Sequence, residues 1–207
     1  MPGAGPGHSS APTDGPYGAV PGGSRVFLDA CVLFPAMTRS LILSLAAEGL
    51  FTPLWSARVL EEWRRAIARQ QGAEAAADAE HAADRMTDRF PNGLVPEAPD
   101  LETTIDLPDP ADAHVLATAV AGRAEILLTF NLRDFPARTL NSHEIVARHP
   151  DGFLWELLGH APGPVRKITG GVLTSFDIAP DRQRAALKRA RLSRFGKAFQ
   201  GEDRNST

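Results

Sequence analysis

The sequence predicts an α/β fold: a parallel sheet flanked by helices, with a small helical appendage at the C-terminus. Two short apolar runs carry the sheet, Val26 to Leu28 inside RVFLDACVL and Ile126 to Leu128 inside EILLT. Between them the apolar residues recur at helical spacing, and alternation of strand, helix and strand points to parallel strands covered on both faces. Beyond Pro162 the chain shows helical spacing only, which predicts the appendage.

Composition narrows the function classes. With 207 residues, 43% hydrophobic and 23% charged, the chain suits one globular domain with appendages rather than two domains. A formal charge of −3 argues neither for nor against a polyanionic partner, so any nucleic-acid contact must come from local patches. The one cysteine, Cys31, cannot form an internal disulfide, and no Cys/His spacing suggests zinc. No apolar run reaches the roughly 18 residues of a membrane span, and the N-terminus lacks a basic region followed by an apolar core. These features predict a cytoplasmic protein with no membrane association.

Residues 1–24 are Gly, Pro, Ser and Ala with almost nothing to bury, and are expected to be a disordered leader. The first strand covers about 25–29. Leu41, Ile42, Leu45, Ala46 and Leu50 then define a helix that Gly49 ends. Phe51 to Leu54 reads as a second strand, and Ser56 stands where an N-cap would. The next helix, about 57–70, carries Val59, Leu60, Trp63 and Ile67 on its buried face, and an Ala-rich helix follows over 73–89. Residues 91–108 read as an extended connection with room for one strand. Asp109-Pro110-Ala111-Asp112 is a helix start, with Asp109 as N-cap, and the helix runs to Gly122. A strand over 125–129 ends in the turn-rich Asn131 to Asp134. A weak strand near 143–147 precedes a helix carrying Phe153, Leu154, Leu157 and Leu158. Helices are then expected through Val165 to Leu173 and from Pro180 to about Phe199. The last carries Arg182, Arg184, Lys188, Arg189, Arg191, Arg194 and Lys197 against Asp181 alone, a cationic surface for RNA or a partner or simply a solvated face.

Asp29 ends the first strand, Asp112 lies in the first turn of a helix, Asp134 follows the strand over 125–129, and Glu62 sits on the helix after the second strand. In an open α/β sheet, strand ends and their loops share one edge, so these four acids can converge. Converging carboxylates repel, and a hard divalent cation, Mg²⁺ or Mn²⁺, relieves them. Such an ion suits phosphodiester hydrolysis. Each acid also has a plainer reading. Asp112 can serve only the helix dipole, Asp134 an Asx turn and Glu62 a solvated face, whereas Asp109 is explained fully as a cap. His114 reads as a hydrogen-bonded or surface histidine rather than a phosphate ligand. Cys31 has no histidine placed to activate it as a nucleophile.

FLDACVLFPA, WSARVLEEW, DPADAHVLATAV and LLTFNLRDFP, in this order and at these separations, resemble a PIN domain, specifically the ribonuclease toxins of VapBC-type toxin–antitoxin pairs. The resemblance covers about residues 25–150, with 151–207 as a helical extension ending in the basic helix. It implies a metal-dependent endoribonuclease whose catalytic and metal-holding acids fall on Asp29, Glu62, Asp112 and Asp134, with Asn131 as a neutral helper. It also implies RNA as substrate, a cognate antitoxin and a homodimer. Glu62 is preferred to Glu61 because the family's acid directly precedes an apolar residue, here Trp63. One departure is Cys31, which stands where the family has Asn or a small hydroxyl residue, and a thiol is a weaker donor toward Asp29. That departure keeps open a non-catalytic PIN-like module that binds RNA or protein, and a DNA-directed nuclease is a third reading.

Overall fold

In the computed structural model, residues 23–201 are described. Residues 1–22 of the expected leader lie outside them. Ser24, counted with the leader, is instead buried at 2% exposure, and its hydroxyl donates to Glu125 Oε2 at 3.0 Å. Ser24 and Arg25 tie the first strand to the segment that starts the third.

The strands are β1 (Arg25–Leu28), β2 (Thr52–Leu54), β3 (Ile126–Leu128) and β4 (Val146–Arg148). All pair in parallel, in the order β2-β1-β3-β4. Register sets Leu28 beside Leu128, so the residues that leave the two strands, Asp29 and Thr129, emerge side by side. Val26, Phe27, Leu28, Leu127 and Leu128 are wholly buried, as expected of a parallel sheet covered on both faces, and each large side chain contributes roughly 1.5–3 kcal/mol.

The helices are α1 (Ala30–Leu33), α2 (Ala36–Ala47), α3 (Ala57–Gln71), α4 (Ala73–Arg89), α5 (Pro99–Glu102), α6 (Ala113–Ala121), α7 (Ala137–Asn141), α8 (Pro150–His160), α9 (Pro162–Ser175), α10 (Gln183–Arg189) and α11 (Ser193–Gly201). Several ends follow directly from the sequence. Gly49, at φ 81°, lets its own N–H reach Ala46 O while Leu50 N–H reaches Leu45 O, closing α2 in a left-handed cap. Ser56 Oγ accepts from Val59 N–H at 3.1 Å and starts α3.

Other elements depart from expectation. The extended connection after Pro91 holds a short helix, α5, and its one strand-like contact is a bridge between Leu94 and Trp55 at the edge of β2. The weak strand lies at Val146–Arg148, because the turn that closes α7 runs on through Glu144, at φ 57°.

The expected single helix from Pro180 to Phe199 is two, α10 and α11, preceded by a 3-10 turn at Pro180–Arg182. Arg191 adopts φ 63°, and Leu192 N–H turns back to Leu187 O at 2.9 Å, which ends α10. Asp151 of α8 then caps α11 with both carboxylate oxygens, accepting from Arg194 N–H at 2.9 Å and Phe195 N–H at 2.8 Å. Leu192 and Phe195, on either side of the start of α11, are both fully buried, which anchors the turn to the core.

One hydrophobic cluster runs from the sheet residues Phe27 and Leu128 to Phe153, Val165, Leu187 and Phe195 in the C-terminal helices. Phe51 and Phe153 meet edge to face at 5.1 Å, α9 packs on α2, and α11 packs on α8. The C-terminal helices are thus packed into the same core as the sheet. No described helix is long and apolar enough to cross a membrane.

Candidate active site

Strand order reverses around β1, which sends the chain to β2 on one side and has β3 on the other. A crevice at the carboxyl ends of such strands is where open α/β sheets bind ligands. Asp29 stands there, 9% exposed. It caps α1, and its Oδ1 lies 3.4 Å from Cys31 N. Its Oδ2 accepts two further bonds, from Thr129 Oγ1 at 2.6 Å and from the Cys31 thiol at 3.0 Å. The charge is therefore buried with partners rather than alone.

Thr129 escaped the sequence reading. A threonine closing a strand is ordinary, and only the register of β1 against β3 makes it Asp29's neighbour. Its oxygen also accepts from Asn131 N–H at 3.0 Å, so it joins the carboxylate to the loop after β3. Cys31 is likewise tied to that loop, since Phe130 N–H donates to its sulfur at 3.2 Å. Burial and the Asp29 carboxylate push the Cys31 thiol well above its usual range. It is a hydrogen-bonding group here and not a thiolate nucleophile.

Asp112 occupies the junction between the 3-10 turn Pro110–Asp112 and α6. Its carboxyl is pushed up to about 6 by burial first, then by the charges of Asp29, Asp109 and Asp134, with His114 opposing. Those causes place Asp29, Asp112 and Asp134 within one electrostatic neighbourhood. Asp109 caps the turn through Ala111 N–H at 2.9 Å. Asp134 ends the turn Leu132–Asp134, and its carboxylate makes no hydrogen bond among the described residues. Asn131 precedes that turn, exposed.

Glu62, rather than Glu61, reaches a buried residue of α6. Its Oε1 lies 2.9 Å from His114 Nε2 and 3.6 Å from Arg58 Nε. Glu61 is bound by Arg64 and Arg65 on the outer side. His114 is 2% exposed, which makes it a buried positioning partner of Glu62.

The donor chemistry suits a hard divalent cation: carboxylate oxygens at the strand ends, one of them with its proton affinity raised by burial and then by neighbouring negative charge. No three such groups among the described residues are already closed around a common point. Glu62 is the outlying member, held toward His114 and Arg58. The basic residues Arg182, Arg184, Lys188 and Arg189 lie before the break, whereas Arg191 sits in it, over Phe130, and Arg194 lies in the first turn of α11, over Trp155 of α8.

Residues 25–133, just over half the chain, match the PIN domain family. The matched span holds Asp29, Glu62, Asp112 and Asn131 and ends one residue before Asp134. The chain is also 51% identical over 69 residues to "Putative ribonuclease VapC50" of Mycobacterium tuberculosis (strain ATCC 25618 / H37Rv). That similarity covers 33% of this chain and 41% of the relative, so the chain spans about two fifths of the relative's length. No solved structure matches the chain.

Proposed function

The chain belongs to the PIN-domain family, and on that premise we propose that it is a divalent-metal-dependent endoribonuclease acting in the cytoplasm as the toxin of a toxin–antitoxin pair. What supports the reading is the group of acids at the β1/β3 ends, where Asp29 is fixed by Thr129 and Cys31 and where Asp112 feels Asp29 and Asp134. The ribonuclease name of the mycobacterial relative supports the choice of RNA.

In this reading Asp29, Asp112 and Asp134 hold Mg²⁺ or Mn²⁺, with Glu62 completing the set and Asn131 beside it. The ion supplies a lowered pKa for attacking water and positive charge against the phosphate oxygens. The chain's own residues bind and orient. Thr129 Oγ1 and the Cys31 thiol fix the plane of Asp29's carboxylate, and His114 Nε2 holds Glu62. A single strand enters such a crevice more readily than a duplex, whose backbone is held away by its paired partner. A cognate antitoxin covers the acidic edge, and the active chain is a homodimer.

The test is cleavage of labelled single-stranded RNA by purified protein with Mg²⁺ or Mn²⁺, beside an Asp29→Asn variant and a parallel DNA substrate. Cleavage of RNA by the wild type, lost in the variant, is expected. Equal cleavage by both proteins would remove the catalytic assignment, and preferential cleavage of DNA would replace the substrate.

A further inference from the structure

An anionic crevice that cuts an anionic substrate needs cations nearby to hold the strand. Two arginines near the crevice are committed elsewhere: Arg58 pairs with Glu62 and Glu102, and Arg148 lies 3.7 Å from Glu156. Arg191 is different. It is exposed, forms no ion pair among the described residues, and holds its guanidinium 4.4 Å from the ring centre of Phe130. Phe130 follows Thr129 directly, and its own N–H donates to Cys31 Sγ. Its ring also meets His149, the residue that leaves β4, edge to face at 5.0 Å. Arg191 therefore stands over the carboxyl ends of β3 and β4, and β3 is the neighbour of β1, whose end carries Asp29.

The turn that carries Arg191 is fixed from several sides. Leu192 is fully buried, Thr38 of α2 donates to Ala190 O at 3.4 Å, and Asp151 caps the helix that follows. Three residues on, Arg194 stacks its guanidinium 3.5 Å from the ring centre of Trp155, which is 39% exposed. An exposed aromatic ring with an arginine plane upon it offers the flat surfaces on which unpaired bases stack. A positioned cation over the strand ends, with an exposed stacking platform three residues on, matches a single strand better than the surface of a folded protein.

We propose that the turn between α10 and α11 is part of the RNA-binding site, with Arg191 taking a backbone phosphate beside the acid cluster and the Arg194–Trp155 pair taking an unpaired base. This rests on the ribonuclease reading above. It narrows a broad basic surface to two arginines and one tryptophan, and it makes the C-terminal helices a working part of the site.

Binding is measured separately from cleavage, using the full chain with Asp29→Asn as background and fluorescein-labelled single-stranded RNA across a salt series. Arg191→Gln is expected to weaken binding several-fold and to lower the slope of log affinity against log salt by about 0.7, and Arg194→Gln to weaken binding several-fold with little change of slope. Trp155→Ala is expected to weaken binding with the slope unchanged, and Lys167→Gln, at an exposed position of α9, to change neither. Arg191→Lys restores the slope, and this variant and Arg194→Gln carry the test if Arg191→Gln melts early. Unchanged affinity and slope in the folded arginine variants would overturn the proposal while leaving the ribonuclease reading standing. Loss of a bound protein partner with RNA affinity intact would overturn it in favour of a protein-docking surface. If the background protein binds no RNA, the ribonuclease reading and this proposal fail together.

Discussion

Thr129→Val removes the shortest hydrogen bond that Asp29 receives, 2.6 Å from a hydroxyl with no exposed surface. A bond to a buried charge contributes about 1.5–3 kcal/mol, and loss of a group that orients a metal-binding carboxylate costs roughly 10–100-fold in metal affinity or activity. The variant is expected to melt earlier and to lose activity in that range, and Thr129→Ser is expected to recover most of both. Single-turnover RNA cleavage and a thermal melt check this, and a Val variant as active as wild type would show that Asp29 needs no such support. Asp29 was legible in the sequence because a carboxylate directly after a buried apolar run demands a partner. The partner was not, since its position depends on register. The weak donor expected at Cys31 is present, but it works alongside Thr129, so the carboxylate does not depend on sulfur alone.

At the scale of elements, the start of α8 is pH-sensitive. His149 caps that helix, and its Nδ1 accepts from Asp151 N–H at 3.1 Å, which requires the unprotonated nitrogen. Burial, then the Arg191 charge, lowers the His149 pKa below its ordinary 6.5, against a smaller opposite effect of Asp151. Because the unfolded chain takes up the proton first, this contribution to stability is complete above about pH 6.5 and is lost as pH falls below it. A melting series from neutral to mildly acid pH is expected to show a fall that His149→Asn, which keeps a capping oxygen and cannot titrate, diminishes. An unaltered pH profile in the variant would contradict the assignment. The helices α3 and α4 were legible to within a residue because Ser56 and Gly72 punctuate them. The break at Arg191 was not, because arginine is a poor marker for a left-handed cap, and the acid that starts α11 comes from α8, some forty residues earlier in the chain.

For the molecule as a whole, the parallel sheet and the rough position of the acids followed from the sequence, since buried apolar runs and their flanking acids are local signals. Two features were not local. The packing of the C-terminal helices into the sheet's own core arises from contacts such as Phe51 with Phe153 and α9 with α2. The placing of Arg191 over Phe130 follows from that packing. The central claim is that Asp29, Asp112 and Asp134 form one cation site. Anomalous diffraction from crystals grown with Mn²⁺ tests it most directly. A peak within about 2.0–2.6 Å of the Asp29 and Asp112 carboxylates is expected. A well-ordered, Mn²⁺-soaked crystal with no peak at that crevice, or with the metal held elsewhere, would contradict the claim.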